Sequence, residues 1–114
     1  MLIHTVTYFF GGAFSANALP HLVSGVTGRR FPSPFAKPPF RGLSSPAVNV
    51  GWGMFNLGVA YLLLVPVGAI DIRSVPQAVI ALCGFGAMAL QCARSTTRIF
   101  GSLSLDDSGR GDSK

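Results

Sequence analysis

Charge is confined to a few short stretches of this chain, and the gaps between them constrain the fold more than any motif does. No Asp, Glu, Lys or Arg occurs from Met1 through Gly28, from Gly42 through Ile70, or from Ser74 through Ala93. A helix of about 20 mostly apolar residues crosses the roughly 30 Å hydrocarbon core of a bilayer. Each gap is long enough, so an all-α membrane fold is predicted, with three transmembrane helices at about 3–24, 47–69 and 75–95. A soluble helical protein would have to bury three helices that lack the polar face of an amphipathic helix. Composition agrees. Charged residues make up 11% of the chain, against about 25% in soluble domains, and glutamate is absent.

The positions of the charges predict an orientation. Cytoplasmic loops carry an excess of Lys and Arg. Segment 25–46 holds Arg29, Arg30, Lys37 and Arg41 and no acid. Arg94 and Arg98 follow the third span, whereas Asp71-Ile72-Arg73 between spans two and three is neutral. Three spans put both basic segments on one side, giving N-out and C-in. The pI near 10 then points to anionic lipid headgroups. No basic–aromatic ladder or zinc-knuckle spacing indicates nucleic acid. Ala16-Asn17-Ala18 resembles a signal-peptide cleavage site, but Met-Leu-Ile-His-Thr lacks the positive n-region of such a leader, so a retained first helix is expected.

Several helix ends are legible. Ser45-Pro46 reads as an N-cap followed by Pro at the first helical position. Ser74-Val75-Pro76-Gln77 reads as a capping box, which makes 68–73 a tight hairpin. Pro20 lies inside the first span, where it removes one backbone hydrogen bond. Residues 1–100 form a single transmembrane domain on this reading. The small, polar tail, 101–114, is expected to be disordered and cytoplasmic. Its Arg110-Gly111-Asp112 is then a chance match to an adhesion tripeptide.

No Asp, Glu or Lys falls within a span, and the one Arg, Arg94, stands at the very end of the third, which argues against a proton-coupled carrier. The strong polar residues lie on particular faces. Asn17 and His21 are four apart on the first helix; Asn49, Trp52 and Asn56 follow i, i+3, i+7 on the second; Gln91 is on the third. At about 1.5 Å of rise per residue, Asn17, His21, Asn49 and Gln91 fall in the cytoplasmic half, with Asn56 near the midplane. Three helices are thus expected to bring these groups together beneath the basic loop. Interhelical packing is the first role for such amides, together with the small-residue pairs Gly11/Ser15, Gly12/Ala16 and Ala47/Gly51. A pocket for a small molecule or lipid headgroup is the alternative. Neither a catalytic residue nor a metal site is expected: a lone His has no nucleophile or acid partner, and His4 and His21 are about 25 Å apart along one helix. No cofactor is implied. Cys83 and Cys92, nine apart on opposite faces, are expected to stay reduced.

The loop interrupts this apolar chain with five of its eight prolines (Pro32, Pro34, Pro38, Pro39, Pro46). Proline fixes φ and removes donors, so an extended, unpaired path is predicted. Phe31, Phe35 and Phe40 interleave with Arg29, Arg30, Lys37 and Arg41, a pattern suited to the headgroup layer or to a docked partner. Arg94 and Arg98 join the same layer. The run from Phe14 through Asn56 includes Pro20-His21, PSPFAKPP and SSPAVNVGWGMFN. In this it resembles a group of small uncharacterised bacterial inner-membrane proteins. The resemblance covers about the first 60 residues and implies a multi-pass location in the bacterial cell membrane, with no activity, substrate or cofactor attached. The function expected is that of a non-enzymatic membrane subunit, accessory to a larger complex or associating with itself.

Overall fold

A computed structural model describes residues 2–112 and places them in three helices: α1 (Leu2–Val26), α2 (Pro46–Leu62) and α3 (Val75–Asp112). α2 continues into a π-helical turn, Leu63–Val67. No strand forms among the described residues; the loop contributes one isolated bridge. α1 is the central element. It packs against both α2 and α3, which do not pack against each other. Gly25 of α1 lies against Val50 and Pro46, and Gly11 against Leu64, so α2 runs antiparallel to α1. Phe9 lies against Gly84 and Asn17 against Cys92, so α3 runs parallel to it. The chain goes up, down and up again.

The central position explains the composition of α1. Thr7, Tyr8, Gly11, Gly12, Ala13, Ala16, Ala18, His21 and Gly25 are all buried. A Cβ on Gly12 would run into the Ala81 carbonyl, and one on Gly84 into that of Phe9. The two backbones therefore meet directly, as small residues permit between membrane helices. On the α2 side, a Cβ on Gly53 would come within 2.6 Å of Leu22. Of the small-residue pairs singled out in the sequence, Gly11 and Gly12 make close approaches, whereas Gly51 is exposed with nothing near it.

Two of the helices are long and apolar enough to cross a membrane. Pro46–Val67 has a mean hydropathy of 1.7 and Val75–Ser102 of 1.6. Their windows are only 17% and 6% buried within the chain, unlike the core helix of a soluble protein. The 25-residue α1 matches the first expected span in position and length but does not reach that hydropathy. Glycine, Ser15, Asn17 and His21 occupy places that bulky apolar residues take in the outer helices.

The helix ends follow local chemistry. Gly28 adopts φ +74° after α1. Arg29 N–H donates to the Ser24 carbonyl at 2.8 Å and Gly28 N–H to that of Gly25 at 3.1 Å, closing a Schellman motif. Ser45 caps α2, its Oγ accepting from Val48 N–H, with Pro46 following. At α3 only half of the expected box forms. Ser74 Oγ accepts weakly from Gln77 N–H at 3.5 Å, but Gln77 Oε1 accepts from Asp71 N–H at 2.7 Å rather than from its own N-cap. Pro66 lies within the π turn, where its missing N–H breaks the α-helical bonding pattern. Gly68 N–H then reaches back five residues to Leu63. Gly68 itself is needed for space: a Cβ there would come within 2.8 Å of Thr7 Oγ1, and its carbonyl accepts the Tyr8 hydroxyl at 2.6 Å.

Two expectations require correction. The helix does not stop near Gly101 but continues to Asp112, so the expected disorder of 101–114 does not hold for its described part; Ser113 and Lys114 lie outside the described residues. Extending an existing helix costs far less than starting one, and no Pro follows Pro76 to break it. Nor is the proline-rich loop extended and unpaired. Phe31 and Ser44 exchange backbone hydrogen bonds of 3.3 and 2.9 Å, because both keep their N–H groups outside the prolines. Between them the chain folds onto Ser33. The Ser33 carbonyl accepts from Ala36 and Phe40 N–H, and its hydroxyl is hydrogen-bonded to that of Ser44. The Lys37–Pro38 peptide is cis. Pro32, Ser33, Ala36 and Ser44 are buried, making the loop a compact cap.

Candidate functional site

The cap sits on the end of the bundle where α1 finishes and α2 begins. Below it, side chains that are far apart in sequence meet in pairs. The Asn49 side chain is completely buried. Its Nδ2 donates to the carbonyls of Phe31 (3.0 Å), Ser44 (3.3 Å) and Ser45 (3.1 Å). Its Oδ1 is 2.7 Å from His21 Nδ1. An amide oxygen only accepts, so His21 carries its proton on Nδ1, and Nε2 is left as an acceptor. That nitrogen has no hydrogen-bond partner among the described residues.

A second pair lies deeper. Asn17 Nδ2 donates to Asn56 Oδ1 at 2.9 Å, and Asn56 Nδ2 donates to the Trp52 carbonyl at 2.8 Å. Cys92 Sγ is 3.5 Å from Asn17 Oδ1. The expected meeting of Asn17, His21, Asn49 and Asn56 is therefore present, as two pairs linking α1 to α2. Gln91 does not join it. α3 turns Gly84 and Cys92 toward α1, leaving Gln91 exposed at the side, 3.4 Å from the Ser95 hydroxyl. The third helix supplies a thiol where an amide was expected.

Aromatic rings tie the cap to this cluster. Phe31 stands edge-on to His21 with centroids 5.3 Å apart and leans on Phe100 at 5.9 Å. Trp52 lies edge-on to His21 at 6.4 Å and to Phe35 at 5.4 Å, and stacks on Phe55 at 5.4 Å. The three loop phenylalanines do not form a single row. Phe31 turns inward; Phe35 and Phe40 stay exposed. Arg29, Arg30, Lys37, Arg41, Arg94 and Arg98 are all exposed at this end of the molecule.

Because α2 and α3 diverge on either side of α1, a cleft of about 630 Å³ opens between them under the cap. Asn17, Pro20 and His21 form its floor. Trp52 forms one wall, and Met88, Gln91, Ser95, Thr96 and Ile99 the other. Phe31, Phe40 and Arg41 descend from the cap, facing Arg98 of α3. The lining contains two arginines and no carboxylate. Cations, hydroxyls and an amide surround the space and can donate to an anion, with apolar walls below. Such a cleft suits an anionic head on an apolar body. The wall residues Ser95, Thr96 and Ile99 were not singled out in the sequence, although Gln91, Ser95 and Arg98 recur at three- and four-residue spacing just beyond the apolar run. Among the described residues no three His, Cys, Asp or Glu side chains come together; Cys83 and Cys92 are both free thiols. Comparison with known protein families, curated proteins and solved structures finds no match to the chain.

Proposed function

We propose that the chain is a non-enzymatic, multi-pass protein of the bacterial inner membrane that binds an anionic small molecule or lipid headgroup at its cytoplasmic end. The observation that carries this reading is the cleft, lined by Arg41 from the cap and by Arg98, Ser95 and Thr96 from α3, with no carboxylate among its lining residues. Three spans in an N-out, C-in arrangement put it at headgroup depth. Met88 and Ile99 bracket Arg94 by six and five residues, so the wall extends about 9 Å below and 7 Å above that charge. His21 and the asparagines serve mainly as supports: His21 reaches the cleft, while Asn49 and Asn56 are wholly buried behind it.

A second reading, an accessory or self-associating subunit, is favoured by the outer face of α2. There Gly51 and Gly58, seven apart, are exposed with nothing within 4 Å of a Cβ at either position. One experiment separates the two. The tagged protein is purified from its native membrane in mild detergent and its mass is measured intact. The first reading expects a retained anionic molecule that is lost from an Arg41→Gln/Arg98→Gln variant. A stoichiometric protein partner with no retained ligand would replace it with the second.

A further inference from the structure

A second cavity adjoins the first. It is an apolar groove of about 400 Å³ on the outer side of the α1–α3 seam, lined by Leu19, Val23, Phe85 and Ala89 among others. The two spaces share Pro20, Phe31, Cys92 and Thr96. They adjoin where α1 passes Pro20, with the Phe31 ring and the α3 side chains Cys92 and Thr96 standing between them. Leu19 and Val23 are about half exposed, at 49% and 58%, so the groove opens sideways onto whatever surrounds the bundle. For helices this apolar, that is lipid.

Resting on the reading of the cleft as an anion site, we propose that the ligand is a single-chain anionic amphiphile. Its acidic head lies in the cleft near Arg41 and Arg98. Its one chain passes beside Phe31 into the groove between Leu19 and Ala89. Charge complementarity selects the head, since neither cavity is lined by an acidic residue. The groove selects the number of chains: its volume lies near the lower end of the roughly 300–1,000 Å³ of ligand sites. A single-chain phospholipid and a fatty acid share this chemistry. Lateral access from the bilayer through the seam lets such a molecule reach the cleft without crossing water, while the cap closes the site from above.

The sole tryptophan, Trp52, lines the cleft and reports on it. The full chain in zwitterionic nanodiscs is titrated with glycerol phosphate, a single-chain glycerol phosphate, its two-chain counterpart and a fatty acid, following Trp52 fluorescence. The single-chain phosphate is expected to bind at least tenfold tighter than either the chainless or the two-chain compound. A matching fatty-acid affinity would identify a carboxylate source, and a fatty acid at least tenfold weaker a phospholipid. Ala89→Phe and Ala93→Phe, both on exposed positions of the groove, fill it without disturbing the bundle. Each should reduce the single-chain affinity to that of glycerol phosphate, leaving glycerol phosphate binding unchanged. Equal affinity with and without a chain, or no effect of either Phe variant, would overturn the chain assignment and leave the anion site standing. Absence of binding by all four compounds would remove both.

Discussion

Asn49 holds three parts of the chain at once. It anchors the start of the cap at Phe31, the end of the cap at Ser44 and Ser45, and α1 through His21. Asn56 makes two bonds, to Asn17 and Trp52. An unpaired buried donor costs about 1–3 kcal/mol, and Asn49→Ala leaves the His21 Nδ1 proton without its acceptor. Its four bonds therefore predict a loss of about 2 kcal/mol or more from Asn49→Ala, larger than the loss from Asn56→Ala. Thermal unfolding of both variants in detergent measures the ranking, and a reversed order would remove Asn49 as the hub. At the opposite end, Tyr8→Phe deletes only the bond to Gly68, for which about 1 kcal/mol is expected in the same assay. The faces of Asn17, His21, Asn49 and Asn56 were legible from i, i+3 and i+4 spacing. Their pairing was not, because spacing along a helix does not give the rotation of its neighbour. Gln91 shows the consequence: one residue of difference from Cys92 turns a side chain by about 100° and takes it out of the cluster.

At the scale of elements, the three helices follow from the charge gaps, and two of their starts from Ser45 and Ser74. The order of packing does not. That α1 is central is written in its buried Gly11, Gly12, Ala13, Ala16, Ala18 and Gly25, but a composition rich in small residues marks a close contact without saying with which partner. The same limit applies to Ala47 and Gly51, which look like a contact pair in sequence and face outward in the fold. Proline's local preference does not set the path of the whole loop, because Phe31, Ser33 and Ser44 retain enough donors and acceptors to fold it into a cap. The close approaches yield a direct test. Gly84→Ala places a methyl against the Phe9 carbonyl, and Gly12→Ala one against Ala81. Backbone atoms cannot yield as a flexible side chain can, so each change forces α1 and α3 apart at a cost of about 1–3 kcal/mol. Gly51→Ala, in open space, is expected to change stability by no more than about 0.5 kcal/mol. Melting temperatures of the three variants provide the comparison. Equal effects at Gly84 and Gly51 would contradict the seam.

For the whole molecule, the distribution of charge and the direction of the helices make one argument. α1 and α3 run parallel, so the cap and the part of α3 carrying Arg94 and Arg98 share an end; the hairpin with Asp71 and Arg73 lies at the other. Six positive residues against a neutral pair set a strong bias, and charge bias in short flanking segments governs insertion. If α1 spans with α2 and α3, the cap faces the cytoplasm. If α1 instead lay flat on the surface, its Gly12–Ala81 and Gly84–Phe9 approaches would be lost along with the floor of the cleft. Single cysteines in a background with Cys83 and Cys92 replaced by alanine test this in intact cells. Ile72→Cys, 82% exposed in its parent side chain, should react with a membrane-impermeant maleimide from outside. Arg30→Cys in the cap should react only after the cells are opened, whereas Leu2→Cys should react from outside as Ile72→Cys does, because the antiparallel return of α2 brings the hairpin to the end where α1 begins, with Gly68 beside Thr7 and Tyr8. Labelling of Arg30→Cys from outside would invert the orientation, and labelling of Leu2→Cys only after opening, with Ile72→Cys outside, would leave two spans in place of three.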